Sequence, residues 1–274
     1  MKLLVTADDY GMTVAVTDGI IACIREGVLT QTGLFTNMPS TEYAVKRMME
    51  EFPDFCLGID INFSTGYPVS DPKLIPSMVQ ENGAFLTSRM HRNLDKTNPH
   101  HVTYEEAYLE GEAQLKRFIQ LVGKKPDYLG GHAYSSDEIR QAHKDLCEKY
   151  DILPKAAIVS KIEMEPDAKV SKEWSSPKIK EDGSFDFGME VQIGNNPLEM
   201  FKNGKLPYFE KALKENKGVH IHSHAGFVDH ELVKLSSFNM IRMMEAELIM
   251  SKELKDWVKQ NNVELVSAKD YDRL

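Results

Sequence analysis

The sequence predicts a single α/β domain in which parallel strands alternate with helices. The first 63 of the 274 residues follow the order strand, helix, strand, helix, strand, and parallel strands require such crossover connections. The same alternation continues toward the C-terminus and brings the number of expected strands to six or seven. Chains of this length commonly form one (β/α) barrel. A barrel-like domain over residues 1–274 is therefore favoured, and an open doubly wound sheet is the alternative.

The first part of the chain contains three strand patterns and two helix patterns. Residues 3–6 are apolar enough for a strand that is buried on both faces. Val16, Ile20 and Ile24 recur at helical spacing, and Gly27 marks the end of that helix. The remaining elements expected here are a strand at 30–37, a helix at 42–51 and a strand at 56–63.

Two capping-box patterns begin the helices of the middle region. Thr103 with Glu106, and Ser135 with Glu138, place a hydroxyl three residues before an acid, which is typical of a helix N-terminus. These two helices are expected to end near residues 122 and 150. The other expected elements are strands at 128–131, 152–159, 219–224 and 263–267 and helices at 208–217 and 237–261.

Two segments are rich in loop-forming residues. Residues 64–101 are interrupted repeatedly by proline and glycine. Residues 161–196 are polar and irregular, with a hairpin signal at Asp182–Gly183. Loops of this length in compact domains are usually functional or disordered. We therefore expect an insertion or lid around residues 161–196.

The composition argues against several classes of function. The formal net charge is −9 and no basic block balances it, so binding to a nucleic-acid backbone is not expected. The N-terminal apolar run is too short for a signal peptide, and no run of ~20 apolar residues follows. Three scattered cysteines fit a reducing compartment. The pattern indicates a soluble, cytoplasmic protein without a membrane partner, and the first turn lacks the glycine pattern of dinucleotide binding.

Two adjacent acids follow the first predicted strand. In parallel α/β folds, reactive groups gather at the carboxyl ends of strands, which is where Asp8 and Asp9 lie. Neighbouring residues of an extended backbone point in opposite directions. One acid can therefore hold a metal while the other faces a water molecule. A loop or N-cap acid is the structural alternative, and the pair, followed by Tyr10 and Gly11, favours a functional role.

Other strand ends carry side chains of the same kind. Asp60 and Asn62 share one face of the third strand, and burial of an unpaired carboxylate is costly unless a cation relieves it. His132 follows Gly130 and Gly131 at the end of another strand. Acids and imidazoles that converge from several strands suit a divalent metal beside an acid/base pair. For Asp60 and His132 the sequence supports a structural role equally.

Three histidines alternate near the end of the strand expected at 219–224. His220, His222 and His224 share one face, but successive residues on that face are ~6–7 Å apart, so they cannot all bind one metal. The position nearest the rim, His224, is the expected functional residue. His220 and His222 are expected to be core residues or supporting groups.

The ordered motifs resemble those of the YdjC-like carbohydrate deacetylases. Residues 6–12, which read TADDYGM, are similar to the NADD(F/Y)GL opening of that family. Residues 224–229, which read HAGFVD, resemble its HPGYxD motif. The similarity continues in order through residues 18–20, 25–27, 37–39, 66–70 and 82–85. It therefore extends over nearly the whole chain.

This resemblance implies a deformed (β/α) barrel and metal-assisted removal of an N-acetyl group from a small carbohydrate. It also implies a homodimer. Asp8 would be the general base and His224 the general acid or transition-state donor. The implied metal ligands are Asp9, Asp60 and His132, and the residues expected to contact substrate are Tyr10, Asn62 and Tyr134.

Two departures from the family motifs bear on the metal. The family pattern GxHLxL is GIDINF here, so Asp60 stands where an imidazole ligand is expected, and DSHxH is GGHAY at residues 130–134. A carboxylate can still bind a metal and shifts the preference from zinc toward magnesium or manganese. The expected cofactor is magnesium, manganese or zinc, with magnesium favoured. The alternatives are a catalytically weakened sugar-binding or regulatory relative, and another metal-dependent hydrolase or isomerase on the same barrel.

Overall fold

The computed structural model describes residues 1–164, 178–179, 185–186 and 206–274. The described part of the chain is an α/β structure, as predicted. Its strands are β1 Lys2–Tyr10, β2 Gln31–Leu34, β3 Cys56–Asn62, β4 Leu129–His132, β5 Glu163–Met164, β6 Lys178–Ile179, β7 Phe185–Asp186, β8 Val219–Ser223 and β9 Glu264–Val266. Its α-helices are α1 Val14–Glu26, α2 Thr41–Glu51, α3 Ser88–Leu94, α4 Tyr104–Val122, α5 Asp137–Tyr150, α6 Lys155–Ser160, α7 Leu206–Lys214, α8 His230–Leu235, α9 Met240–Met250 and α10 Lys252–Gln260.

The chain forms two compact units. The first contains residues 1–8, 13–32 and 158–274, and the second contains residues 9–12 and 33–157. Strands β1 and β2 contribute residues to both units, because each division falls within a strand. The expectation of a single domain over residues 1–274 stays a prediction.

In the first unit, three strands pair with β1 or with its neighbour. Strand β8 runs parallel to β1, and β5 runs parallel to β8. Strand β9 pairs in parallel with the beginning of β1. Helix α1 packs against α9. Leu3, Leu4 and Val5 are completely buried, which confirms the predicted strand with two covered faces.

In the second unit, β3 lies beside β2 and β4. Strand β4 runs parallel to β3, so that Asp60 lies opposite Gly130 and Asn62 lies opposite His132. Helix α4 packs against β3 and against α5, and every residue of β3 is buried. This parallel pairing brings the carboxyl ends of β3 and β4 to one edge, as the sequence predicted.

The two helix starts in the middle region differ in detail from the predicted capping boxes. The Thr103 side chain accepts the backbone N–H of Glu106, as predicted, and caps α4. The carboxylate of Glu106 accepts the backbone N–H of Ser77. Helix α5 is capped by Ser136, so the assignment of Ser135 was wrong by one residue.

The strand expected at 152–159 is wrong. Pro154 forms a single parallel bridge with Leu129, and helix α6 begins at the next residue. Proline has no N–H with which to continue a ladder, but it is tolerated at the start of a helix. The two alanines that follow, at 156 and 157, then favour helix.

The long helix expected at 237–261 is interrupted. It is divided into α9 and α10 at Ser251, whose backbone is extended at φ −62° and ψ 143°. The Ser251 side chain accepts the backbone N–H of Leu254 over 3.2 Å and so caps α10. A serine inside an apolar helical pattern was therefore a boundary signal.

The predicted hairpin has its two strands in place. Strands β6 and β7 pair antiparallel, with Ile179 opposite Phe185, and they flank the turn signal Asp182–Gly183. The turn itself and most of the expected lid at 161–196 lie outside the described residues. The lid therefore stays a prediction. Within the described ranges, none of the helices is long and apolar enough to cross a membrane.

Candidate catalytic and metal-binding site

Strand β1 includes both acids of the Asp8–Asp9 pair instead of ending before them. Asp8 is 7% exposed and Asp9 is fully buried. Asp9 has a φ of 71°, in the left-handed region that Asp adopts more readily than most residues, and its carbonyl accepts the N–H of Met12. The backbone turns at Asp9, and Asp8 belongs to the first unit while Asp9 belongs to the second.

In the second unit, Asp9 contacts both of the other predicted metal ligands. Its Oδ1 lies 2.8 Å from Nδ1 of His132. Its backbone N–H donates to Oδ2 of Asp60 over 3.2 Å. An edge-to-face contact with Phe35, with ring centroids 4.8 Å apart, orients the His132 ring. The fold therefore brings these three residues together, and their role as metal ligands stays a prediction.

Two glycines make room for the side chain of Asp60. A Cβ atom at Gly33 would lie 2.3 Å from the Asp60 carboxylate, and a Cβ atom at Gly130 would lie 2.9 Å from its Oδ1. Gly130 is the residue opposite Asp60 in the pairing of β3 with β4. Any larger side chain at these positions would occupy the space of the carboxylate. This part of the sheet is therefore shaped to hold an acid at position 60.

Asp9 and His132 have side-chain ligand atoms in direct contact, and the Asp60 carboxylate lies against the backbone N–H of Asp9. Both acids are at most 1% exposed, and burial of two neighbouring carboxylates is costly without compensating positive charge. A protonated His132 or a divalent cation can supply that charge. The 2.8 Å between Oδ1 of Asp9 and Nδ1 of His132 is the length of a direct hydrogen bond or ion pair, which a bound cation would replace.

In the first unit, Asp8 is paired with a histidine. Its Oδ2 lies 2.8 Å from Nε2 of His222, and the rings of His222 and His224 have centroids 5.1 Å apart. One ligand atom from each of Asp8, His222 and His224 lies within 4.8 Å of the others. The predicted base and the predicted acid thus share one cluster with His222.

His224 is held from several directions. Its backbone N–H donates to Oε2 of Glu245 over 2.7 Å, and its carbonyl accepts from Nη1 of Arg242. Its ring meets the ring of Phe238 edge to face, with centroids 4.9 Å apart. The side chain of His224 remains partly exposed. These contacts fix the backbone and ring plane of a residue that solvent can still reach.

The structure gives His220 and His222 the two kinds of role that the sequence left open, a core residue and a supporting group. His220 is buried, and its Nε2 lies 2.9 Å from Oγ1 of Thr6, so it is a core residue as predicted. The side chain of His222 is 39% exposed and contacts the acid expected to act as base. His222 lies on the same face of β8 as His220 but two residues closer to the strand end, and at that position this face is exposed although the adjacent Ser223 is buried. The alternating histidines were the available signal.

The three residues expected to contact substrate are buried. The Tyr10 hydroxyl donates to the carbonyl of Ala44, and the Tyr134 hydroxyl donates to Oδ1 of Asp95. The carboxamide of Asn62 is hydrogen-bonded to neighbouring loops. These hydrogen bonds hold the three side chains in contacts within the protein.

One exposed aromatic side chain lies on a loop that is tied to the same strand ends. Tyr67 is 58% exposed. Its carbonyl accepts from Nδ2 of Asn37, whose Oδ1 accepts from Nδ2 of Asn62, and Asn62 lies opposite His132 in the sheet. The carboxylate of Glu110 accepts two further backbone N–H groups of this loop. The sequence interpretation did not select Tyr67, although an aromatic residue in a long loop was its signal.

Comparison with known proteins places these features in a family. The family described as "YdjC-like protein" matches residues 2–260. Carbohydrate deacetylase 2 of Listeria innocua is 29% identical over 98% of both chains, and the carbohydrate deacetylase of Thermoanaerobacter pseudethanolicus is 27% identical over 97% of both. The crystal structure of a candidate cellobiose-phosphate cleavage protein of Enterococcus faecalis aligns with a TM-score of 0.73 and 21% identity, covering 98% of each chain. That likeness shows a common fold.

Proposed function

The chain belongs to the YdjC-like family, and from this premise we propose that it hydrolyses the N-acetyl amide of an amino sugar or a short oligosaccharide. Relatives that match it over nearly their whole length are named carbohydrate deacetylases. The observation that carries the proposal is the buried contact of Asp9 with His132, together with the hydrogen bond from Asp9 to Asp60. Amide hydrolysis needs a stabilised carbonyl oxygen, a base and an acid, and the chain offers candidates for each role.

The residues that would hold the cation are Asp9, Asp60 and His132, with magnesium favoured. A divalent cation bound by them would supply Lewis acidity toward the acetyl carbonyl oxygen and would lower the pKa of a coordinated water. The second acid also has a positioning role, because Asp60 accepts the backbone N–H of Asp9 and so fixes the turn that presents the Asp9 carboxylate. All three ligand roles are proposals, supported by the contact of Asp9 with His132 and by the hydrogen bond from Asp9 to Asp60.

Asp8 and His224 are assigned the proton transfers. Asp8 accepts a proton from the water that attacks the acetyl carbon, and the C–N bond then breaks. His224 gives a proton to the departing amine nitrogen, so that acetate and a free amino sugar are formed. Support for these roles comes from the partial exposure of His224 and from the contact of Asp8 with His222. A general base is effective when a neighbour holds its carboxylate in one orientation.

Tyr67 is assigned to substrate recognition. Its ring is exposed on a loop whose backbone is hydrogen-bonded through Asn37 and Glu110. An aromatic ring on a fixed backbone offers a broad apolar face at a low cost in conformational entropy, and such rings pack against the C–H faces of sugars. The internal hydrogen bonds of Tyr10, Asn62 and Tyr134 support roles in holding the site.

The proposal is tested by measuring acetate release from N-acetylglucosamine, from its 6-phosphate and from N,N′-diacetylchitobiose. The purified protein should release acetate in buffer that contains magnesium or manganese. Treatment with a chelator should abolish release, and re-addition of the metal should restore it. Failure to release acetate from any of these substrates, in protein that binds magnesium, would count against deacetylation.

A second candidate function is that of a sugar-binding relative with weakened catalysis. The observation that favours it is the engagement of Asp60 with the backbone of Asp9, because this carboxylate stands where the family motif has an imidazole. The same experiment separates the two candidates. Sugar binding measured by calorimetry without acetate release at any metal concentration would support the binding protein.

A further inference from the structure

A second cluster of metal-ligating side chains lies in the first unit. Its members are Asp8, His222 and His224, and the ligand set proposed above shares no residue with it. We propose that this cluster binds Zn²⁺, and that the bound Zn²⁺ inhibits the enzyme. The inhibition rests on the proposed function, whereas the binding site does not.

The geometry of the three side chains supports a shared cation. Residues two apart on a strand are separated by ~6–7 Å along the backbone, but the rings of His222 and His224 converge to 5.1 Å. The carboxylate of Asp8 is already 2.8 Å from Nε2 of His222, and one ligand atom of each residue lies within 4.8 Å of the others. Tetrahedral zinc ligands are about 3.3 Å apart. Rotation of the His222 side chain, which is 39% exposed, can supply the remaining approach.

The donor set differs in character from that of the second unit. Two imidazole nitrogens and one carboxylate oxygen form a ligand set that proteins commonly use for zinc, with a fourth position left for water. The set of Asp9, Asp60 and His132 is richer in oxygen and suits magnesium or manganese. The fold also supports the histidine at the strand end, since Glu245 and Phe238 hold the backbone and ring of His224. The chain therefore offers two candidate cation sites, and their ligand sets prefer different metals.

Occupation of this cluster would block the proton transfers. A carboxylate bound to zinc accepts a proton poorly, and a metal-bound imidazole nitrogen has no proton to donate. Asp8 and His224 would then lose their roles as base and acid. Excess zinc is expected to inhibit the magnesium-loaded enzyme, and His222 is the residue whose removal relieves that inhibition.

The binding site is tested with zinc alone, independently of activity. The His132→Gln variant removes an imidazole from the second unit, so zinc uptake that persists in it, measured by calorimetry and by elemental analysis after dialysis, belongs to another site. The double variant His132→Gln/His222→Ala should lose this remaining zinc binding. The double variant His132→Gln/His220→Gln, a matched change on the same strand, should retain it. Equal zinc uptake with and without His222 would overturn the proposal.

Two further measurements keep the result unambiguous. Circular dichroism should show that the His222→Ala protein is folded, and His224→Gln serves as a second variant that must also lose the zinc. In acetate-release assays, the ratio of activity without zinc to activity with excess zinc should fall toward one in His222→Ala. An unchanged ratio would overturn the inhibitory role. Absence of acetate release from the wild-type protein would instead contradict the proposed function. The zinc-binding measurement would then still decide whether the cluster of Asp8, His222 and His224 binds zinc.

Discussion

The backbone N–H of Asp9 donates a hydrogen bond to Oδ2 of Asp60 over 3.2 Å, and both residues are buried. Asp60 therefore contributes two separable properties. Its oxygen fixes the left-handed turn at Asp9, and its negative charge adds to that of the Asp9 carboxylate. A substitution that retains the acceptor but removes the charge distinguishes these two effects.

The Asp60→Asn variant is expected to keep the turn and weaken the cation site. The carboxamide oxygen can still accept the N–H of Asp9, so the free energy of unfolding of the metal-free protein should not fall. Affinity for magnesium should fall by about tenfold or more, because a charged oxygen donor is lost. Asp60→Ala should also leave the Asp9 N–H unsatisfied, at a cost of about 1–3 kcal/mol. Urea denaturation and magnesium titration measure the two quantities, and equal stability of the two variants would contradict this role for Asp60.

A methyl group at Gly33 is expected to clash with the Asp60 carboxylate. The added Cβ atom would lie 2.3 Å from that group, which requires a shift of the acid or of strand β2. Gly33→Ala should therefore destabilise the protein by about 1–3 kcal/mol. Because the obstacle is a side chain, Asp60→Ala should relieve most of the clash in the double variant. A double-mutant cycle from urea denaturation measures this coupling.

Gly58 provides the matched control for that cycle. It is a glycine of β3 whose added Cβ atom would lie 2.4 Å from the ring of Tyr128, so Gly58→Ala should also be destabilising. Its cost should be independent of Asp60→Ala, since the clash involves another side chain. Strictly additive effects of Gly33→Ala and Asp60→Ala would contradict the proposed packing of the carboxylate.

Much of the fold could be predicted because its signals are local. Gly27 ends α1 and Thr103 caps α4, and both are recognised within a few residues of sequence. The errors also have local causes that compete with hydrophobic periodicity. Pro154 ends a strand pairing after one bridge, and Ser251 divides a helix by capping its second half. In both places a single polar or cyclic residue outweighed an apolar pattern.

The candidate site could be predicted only in part. The rule that reactive groups lie at the carboxyl ends of parallel strands placed Asp9, Asp60 and His132 together. The burial of individual side chains could not be predicted, because it depends on partners that are distant in sequence. The hydroxyl of Tyr10 donates a hydrogen bond to the carbonyl of Ala44, 34 residues away. The exposed side chain of His222 is hydrogen-bonded to the carboxylate of Asp8, 214 residues away.

The Asp8→Asn variant is expected to lose turnover and to keep its fold. An amide cannot accept the proton of the attacking water, and loss of a general base costs about 10²–10⁴-fold in rate. The carboxamide can still form a hydrogen bond with His222, so the thermal midpoint should change little. Acetate release gives the rate, and magnesium titration should show an intact second-unit site. Asp272→Asn, at an exposed acid of the same unit, is the control. Wild-type rates in Asp8→Asn would refute its role as base.

Loss of the Tyr67 ring is expected to weaken substrate binding selectively. Tyr67→Ala should raise KM by about tenfold, because stacking contacts of an aromatic ring are worth about 0.5–1.5 kcal/mol beyond area burial. Tyr67→Phe should retain most of the affinity, since the ring face is preserved. Leu74 is also 58% exposed, and Leu74→Ala serves as the control for loss of an exposed apolar side chain. The effect should be larger for a disaccharide than for a monosaccharide, and an equal KM in Tyr67→Ala and wild type would exclude this contact.

The stability of the protein is expected to fall in mild acid because of buried histidines. Burial lowers the pKa of His143 to about 4, and its ring stacks on Phe63 with centroids 5.8 Å apart. Burial likewise lowers the pKa of His91 to about 4. Between pH 6.5 and 4 the unfolded chain binds protons at these residues that the folded chain does not. The free energy of unfolding therefore decreases as the pH falls through this window, by up to about 3 kcal/mol for each residue.

The contribution of His143 can be isolated with His143→Gln, which does not titrate in this range. This variant should be less stable than the wild type at pH 7, because the packing on Phe63 is lost, but its stability should fall less steeply between pH 6.5 and 4. Urea midpoints at several pH values measure the slope. Lys144→Ala, an exposed substitution on the same helix, should retain the wild-type slope. A slope in His143→Gln equal to that of the wild type would mean that the folded protein binds a proton at His143 as readily as the unfolded chain does.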